Sequence, residues 1–207
     1  VTSHPKDISD GLVSLFAGEK KLCRHIHLPV QSGSDAVLAL MGRVYTRDEY
    51  LDKIRRLRDS CPGISITTDI IVGFPGEPGE DFEATLDLVR TVRFDNMFSF
   101  TYSPRPGTKA STFEGRVPLD VGSERLSILQ ALQREITLEK NSNLVGSIIE
   151  VMIDGPGRNG PGRSAGRTGC NRIVTFPATP HQPGALIDVE ITAATPNALR
   201  GIHRQRR

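Results

Sequence analysis

The sequence of 207 residues predicts an α/β segment followed by a small all-β barrel. Residues 1–141 alternate short β-branched runs with helical apolar patterns, which is typical of a parallel sheet with right-handed crossovers. After residue 142 the pattern changes to short alternating strands between Gly- and Pro-rich loops, which is typical of a small barrel. We therefore expect two domains, 1–141 and 142–207.

The first strand and its two following helices are predicted from residues 24–60. Residues 24–30 predict a strand, and the turn Gln31–Asp35 leads from it into a first helix. A second helix is expected to begin at Thr46, because Glu49 three residues later completes a capping box. This order places a polar turn directly after the first strand.

Two further strands follow. Residues 64–72 are β-branched almost throughout, as in a strand buried on both faces. This strand runs into the turn Gly73–Glu77, and a helix with apolar residues on one face comes next. Residues 97–102 predict the third strand, which opens into the loop Ser103–Thr108.

A long helix is predicted to end the first domain, and the strands after it form the second domain. Apolar spacing predicts the helix over residues 121–141, and alternation predicts strands over 147–153, 172–176, 186–192 and 199–202. The segment 154–169 contains six glycines and two prolines, so we expect it to be too flexible for regular structure.

Composition limits the function classes. With 37% hydrophobic and 24% charged residues the chain can bury a core. The sequence contains no run of 18 apolar residues, so we expect no membrane-spanning helix. Cys23, Cys61 and Cys170 are scattered and form no CxxC pattern. This usage fits a reducing, cytoplasmic location, and it predicts no disulfide framework and no metal site from this chain alone.

Charge is distributed unevenly along the chain. Residues 1–141 hold 18 basic and 20 acidic residues, whereas residues 142–207 hold eight basic and four acidic ones, and all eight are arginine. Arginine binds phosphate through a planar fork and stacks on bases. The basic domain is therefore either a nucleic-acid-binding surface or a solvated arginine surface.

The three turns that follow the strands predict a ligand-binding rim, since ligands of parallel sheets bind at the carboxyl ends of the strands. Asp69 lies within an apolar strand, where it either accepts hydrogen bonds from ligand hydroxyls or caps a loop. Arg43 follows Gln31 by 12 residues and is either a ligand contact or a surface residue. His25 and His27 are expected to be structural. No GxSxG, P-loop or GxGxxG motif is present, so no catalytic nucleophile is assigned.

Four segments of the sequence carry a family resemblance: His27–Asp35, Met41–Thr46, Thr68–Glu77 and Tyr102–Thr108. Together they resemble the methylthiotransferases of the radical SAM superfamily. That family has an N-terminal domain with three cluster-binding cysteines, a radical SAM partial (β/α) barrel and a C-terminal TRAM barrel that contacts RNA. The chain resembles the second half of the partial barrel plus the TRAM barrel, so the CxxxCxxC loop of the 4Fe–4S cluster is expected upstream of Val1.

The resemblance implies an enzyme that uses S-adenosyl-L-methionine (SAM) and 4Fe–4S clusters to add a methylthio group to carbon 2 of an adenosine beside the tRNA anticodon. The turns are most similar to those of members that act on isopentenyl-modified adenosine, and members that act on threonylcarbamoyl-adenosine are the alternative. This chain alone is expected to be inactive and monomeric, with the tRNA anticodon stem-loop as partner and no membrane association. A second alternative is a stand-alone RNA-binding module.

The resemblance also implies roles for particular residues. The expected SAM-binding residues are Gln31 and Asp69 at the ribose, Arg43 at the carboxylate, and Ser32, Ile71, Gly73 and Phe74 around them. The arginines expected to contact tRNA phosphates are Arg158, Arg163, Arg167 and Arg172.

Overall fold

The computed structural model describes residues 2–157 and 162–204 and contains two compact units. The first unit comprises Val1–Leu22 and Ile26–Arg134, and the second comprises Cys23–His25 and Glu135–Arg207. The α/β class and the all-β C-terminal barrel predicted from the sequence are confirmed.

Helices and strands alternate up to the long helix. In chain order the elements are α1 (Asp10–Gly18), β1 (His25–His27), α2 (Asp35–Leu40), α3 (Arg47–Ser60), β2 (Ser65–Val72), α4 (Gly79–Val92), β3 (Asn96–Thr101) and α5 (Leu119–Ser142). Helix α1 and a short 3-10 helix before it, Pro5–Asp7, were not predicted from the sequence. Among the described residues, no helix is long and apolar enough to cross a membrane.

The three strands of the first half form one sheet in the order β1-β2-β3. Strands β2 and β3 run parallel, with Asp69 opposite Phe98 and Ile71 opposite Phe100. One face of β2 is fully buried, but Thr67, Asp69 and Ile71 on the other face are only half-buried. The expectation of burial on both faces is therefore wrong for the second face, because β-branched residues specify a strand without specifying what covers each face. We call this second face the open face.

Local signals set the beginnings of two helices that flank the site. Thr46 and Glu49 form the predicted capping box at the start of α3. Helix α4 begins directly after Pro78, which provides no side-chain cap. Proline tolerates this place because the first helical N–H groups have no partner within the helix.

The C-terminal strands close into a barrel in the order β4-β5-β6-β8-β7. The strands are β4 (Ile148–Pro156), β5 (Arg163–Thr168), β6 (Ile173–Pro177), β7 (Leu186–Ala194) and β8 (Leu199–Arg204). Alternate apolar side chains point inward and form one core, which includes Val151, Phe176 and Val189. Closure leaves no free sheet edge.

The expectation that residues 154–169 lack regular structure is wrong. Strand β4 continues to Pro156, and Arg163–Thr168 form β5, which pairs antiparallel with β4. Gly166 explains the error, because a Cβ atom at this position would lie 2.3 Å from the Met152 carbonyl oxygen and 2.6 Å from Val151 Cγ1. The glycine permits close approach of two strands here, which composition cannot distinguish from loop flexibility.

We predict that Gly166→Ala lowers the free energy of unfolding by about 1–3 kcal/mol, because the added methyl group overpacks the barrel wall. Gly169→Ala is the matched control, since nothing lies within 4 Å of the position of its Cβ. Urea denaturation followed by circular dichroism measures both. Equal stability of the two variants would contradict the close-packing role of Gly166.

Candidate functional site

The turn after β1 is bonded to the middle of β2 through Gln31. The Gln31 N–H donates to the Asp69 carbonyl at 2.8 Å, and the Ile71 N–H donates to the Gln31 carbonyl at 2.9 Å. Gln31 adopts a left-handed conformation with φ of 74°. A non-glycine residue in this conformation costs on the order of 1–3 kcal/mol, and such residues cluster at functional sites. The structure thus brings Gln31, Asp69 and Ile71 together.

The two residues after Gln31 fix the turn against α4. Ser32 is fully buried, and its hydroxyl lies 3.3 Å from Thr85 Oγ1. The Gly33 N–H donates to the same Thr85 oxygen at 2.9 Å, and a Cβ on Gly33 would lie 2.5 Å from the Ala84 carbonyl oxygen. The Ser32 hydroxyl therefore lies against α4, where it stabilises the turn.

Asp69 lies on the open face beside His27 of β1. Its Oδ1 atom is 3.2 Å from His27 Nε2, and the His27 Nδ1 atom is 2.9 Å from Thr67 Oγ1. The Asp69 side chain is 30% exposed and that of His27 is 18% exposed. The partner that a carboxylate in an apolar strand requires is thus an imidazole on the neighbouring strand.

Arg43 follows α2 and is connected to the segment after β1 through His4 and Tyr45. Its Nη1 atom lies 3.3 Å from His4 Nε2, and the His4 ring packs edge-on against Tyr45 at 5.5 Å between centroids. The Tyr45 hydroxyl donates to the Val30 carbonyl at 3.0 Å, one residue before Gln31. Burial, and next the positive charge of Arg43, lower the pKa of His4 and so favour the neutral form of this imidazole.

The turn after β2 is organised around a buried carboxylate. Gly73 adopts a φ of 70°, and its N–H donates to Glu77 Oε2 at 2.6 Å. Arg125 of α5 donates from Nη1 to the same oxygen at 2.8 Å. Burial raises the pKa of Glu77, whereas the Gly73 N–H and Arg125 oppose that rise by favouring the charged form. The ion pair between Glu77 and Arg125 therefore stabilises the turn after β2.

Phe74 packs in the same turn against residues from two later segments. Its ring meets Tyr102 edge-on at 5.0 Å and Phe113 at 6.2 Å between centroids. Tyr102 follows β3, so this contact connects the turns after β2 and β3. Phe74 is itself 4% exposed, so only a small part of it is available to a ligand.

Three buried polar atoms without a partner lie in the segments that follow the three strands. They are Arg43 Nε, Glu77 Oε1 and the Tyr102 hydroxyl. A buried polar atom without a partner costs about 1–3 kcal/mol. Glu77 and Tyr102 follow β2 and β3, and Arg43 follows α2, in the connection between β1 and β2. Unpartnered polar atoms in these segments are compatible with a polar ligand, and SAM is the ligand to be tested.

The predicted RNA-contacting arginines lie in the second unit. Arg163 and Arg167 project from the outer face of β5, where they alternate with buried residues. Arg167 lies 3.3 Å from an Asp154 carboxylate oxygen and donates to Asn171, and Arg172 donates to the Asn141 side chain at 2.6 Å. Arg158 lies outside the described residues. Two of the described arginines are therefore held by protein partners.

The described residues contain no group of three or more His, Cys, Asp or Glu side chains that could hold a metal ion. Cys23 is exposed, Cys61 is buried and Cys170 is half-buried, and no disulfide joins any two of them. The residues described here thus do not fit an iron–sulfur cluster.

Several residues that build the rim were not found from the sequence. Thr85, Arg125 and His4 contact Ser32, Glu77 and Arg43 respectively across 53, 48 and 39 residues of chain. No local pattern marks such partners. The sequence does contain a signal for His27, because its alternation with His25 places it on one face of a strand.

Two family models match the sequence. Residues 2–89 match the Radical SAM superfamily, and residues 143–202 match the TRAM domain. The first match covers β1, β2 and most of α4, and the second covers the closed barrel.

The curated relatives share about half of their residues with this chain. The tRNA-2-methylthio-N(6)-dimethylallyladenosine synthase of Geotalea uraniireducens is 54% identical over 97% of this chain and 45% of its own length. The protein of the same name from Syntrophobacter fumaroxidans is 49% identical over 97% of this chain and 44% of its own length. The chain therefore spans a little under half the length of these relatives.

A solved structure supports the fold alone. Coproporphyrinogen III oxidase from Escherichia coli, described as a radical SAM enzyme, aligns with 70% of this chain and 33% of its own chain, with a TM-score of 0.52 and 20% identity. The two family models thus give a Radical SAM segment followed by a TRAM domain, and over 97% of its length the chain is similar to tRNA-2-methylthio-N(6)-dimethylallyladenosine synthases.

Proposed function

We propose that this chain supplies part of the SAM site and the RNA-binding barrel of a tRNA methylthiotransferase that acts on isopentenyl-modified adenosine beside the anticodon. The observation that carries the proposal is the pair of unpartnered buried polar atoms Arg43 Nε and Glu77 Oε1 within the segment that matches the Radical SAM superfamily, together with the Tyr102 hydroxyl after β3. The names of the curated relatives support the substrate. The proposed domains are 1–141 and 142–207.

The proposed SAM contacts follow from the geometry of the rim. Asp69 has one carboxylate oxygen on His27 and a side chain that is 30% exposed, which suits a ribose hydroxyl donor. The unpartnered Arg43 Nε suits the SAM carboxylate, because guanidinium pairs with carboxylates through two parallel bonds. Gln31 is proposed to join Asp69 at the ribose, Ile71, Gly73 and Phe74 are proposed as further contacts, and Ser32 holds the turn.

SAM supplies, when reductively cleaved, the radical that begins methylthiolation in this family. The residues of this chain bind and orient the nucleotide and exclude water from the apolar part of the turn, where Phe74 packs against Tyr102. Any iron–sulfur cluster of the whole enzyme takes its ligands from outside the described residues, since no suitable group is found among them.

The barrel is proposed to bind the anticodon stem-loop through its arginines. Arg163 and Arg167 share the outer face of β5, and phosphate contacts of this kind position RNA without reading its sequence. Phe176 is buried in the barrel core and cannot stack on a base. The proposed partners are thus SAM and tRNA, with a monomeric chain in the cytoplasm.

A stand-alone RNA-binding module remains the second candidate function, and it is favoured by the closure of the barrel into its own core. The two candidates differ in whether the first unit binds SAM. The two predictions below test them separately.

Arg43→Ala is predicted to weaken SAM binding about tenfold or more, because a charge-assisted hydrogen bond is lost. The same variant should bind 5′-methylthioadenosine like the wild type, since that nucleoside has no carboxylate. Asp69→Asn should weaken binding of both ligands. Isothermal titration calorimetry measures both, and Arg55→Ala on the exposed surface of α3 is the control. An Arg43→Ala variant that loses both ligands equally would contradict the carboxylate assignment.

The double variant Arg163→Ala/Arg167→Ala is predicted to weaken binding of an anticodon stem-loop RNA and to reduce the salt dependence by about one logarithmic unit per arginine. Fluorescence anisotropy at several salt concentrations measures this slope. Arg55→Ala again serves as the control. An unchanged slope would show that the outer face of β5 does not contact phosphate.

A further inference from the structure

We propose that Thr67 and His27 act as positioning residues for Asp69, so that a chain of two hydrogen bonds across β1 and β2 aims the Asp69 carboxylate at the ligand. The proposal rests on the proposed function for the identity of the ligand, a nucleoside with ribose hydroxyls. It assigns a role to two side chains that contact no ligand in that function.

The chain of contacts is complete on the open face. Thr67 and Asp69 are two residues apart on β2 and therefore project from the same face of the sheet. The His27 ring lies between them, with Nδ1 at 2.9 Å from Thr67 Oγ1 and Nε2 at 3.2 Å from Asp69 Oδ1. Both ends of the imidazole are thus held by one neighbouring strand.

The chemistry of the partners fixes the tautomer of the neutral ring. A carboxylate oxygen only accepts hydrogen bonds, so His27 Nε2 carries the hydrogen and donates it to Asp69. Nδ1 then has the free lone pair, and the Thr67 hydroxyl donates to it. The Thr67 hydroxyl can donate or accept, so it satisfies Nδ1 and anchors the ring in the tautomer that Asp69 requires, as an outer partner of a metal-bound histidine does.

A third contact fixes the plane of the ring. Phe98 of β3 meets His27 at 6.0 Å between centroids with an interplanar angle of 74°, which is the edge-to-face arrangement that aromatic rings prefer. The imidazole is therefore held along its length by Thr67 and Asp69 and across its face by Phe98. One Asp69 oxygen contacts His27, and this contact orients the other oxygen toward the proposed ligand.

The test substitutes Thr67, which contacts His27 and reaches the proposed ligand contact, Asp69, only through that ring. Thr67→Val keeps the side-chain shape but removes the hydroxyl, and we expect it to weaken binding of both SAM and 5′-methylthioadenosine by about three- to tenfold. Thr67→Ser restores the hydroxyl and should recover most of the affinity. Thr192→Val on an exposed barrel strand is the matched control.

A second pair of variants tests the imidazole. His27→Gln places an amide donor near the position of Nε2 and should retain most of the affinity for 5′-methylthioadenosine, whereas His27→Leu should lose about as much as Thr67→Val or more. Equal affinities of wild type, Thr67→Val and His27→Leu, together with a loss in Asp69→Asn, would overturn the positioning role while leaving the ribose contact of Asp69 intact.

The tautomer gives a readout that needs no ligand. Nitrogen-15 NMR of the full 207-residue chain should show His27 as the Nε2–H tautomer at pH values where the ring is neutral, and Thr67→Val should shift its Nδ1 resonance. A ring with hydrogen on Nδ1 would overturn the proposal even if the chain binds SAM. Absence of SAM binding alongside the expected tautomer would instead reject the proposed SAM site and retain the Thr67–His27–Asp69 chain.

Discussion

The backbone pairing of Gln31 with β2 is the constraint on which the candidate site depends. Gln31 accepts a left-handed conformation and in return exchanges two hydrogen bonds with Asp69 and Ile71. This pairing extends the hydrogen bonds that Leu28 and Val30 make with β2, and it carries the turn after β1 along the strand to Asp69. The contact of Gly33 and Ser32 with Thr85 supports the turn from the side of α4, so the strain at Gln31 is offset by packing and hydrogen bonding around it.

Polar side chains of the rim have one atom held by a hydrogen bond and another atom without a partner. Glu77 is tied to Gly73 and Arg125 through one oxygen, and its other oxygen lacks a partner. Arg43 similarly has one nitrogen beside His4 and another without a partner. A site in which each polar group is oriented by one contact and left open at another is suited to binding a ligand with little rearrangement.

The sequence predicts the elements of this fold better than their surroundings. Periodicity places α3 and α4, and the capping box fixes the start of α3, because helix signals are local. Strand β5 is not predicted because glycine is typical both of flexible loops and of close strand approach. Only the closeness of the Met152 carbonyl oxygen to Gly166 distinguishes the two. Likewise Asp69 was recognised as a residue in need of a partner, but its pairing with His27 depends on strand order, which residue patterns alone do not fix.

The most direct test of this account is amide NMR mapping of SAM on the full chain. The account predicts chemical-shift changes concentrated at residues 31–33, 43 and 69–77, because these segments form the rim after β1 and β2. Changes confined to the barrel residues 147–204, or an unchanged spectrum at saturating SAM, would contradict the assignment of the rim as a nucleotide site.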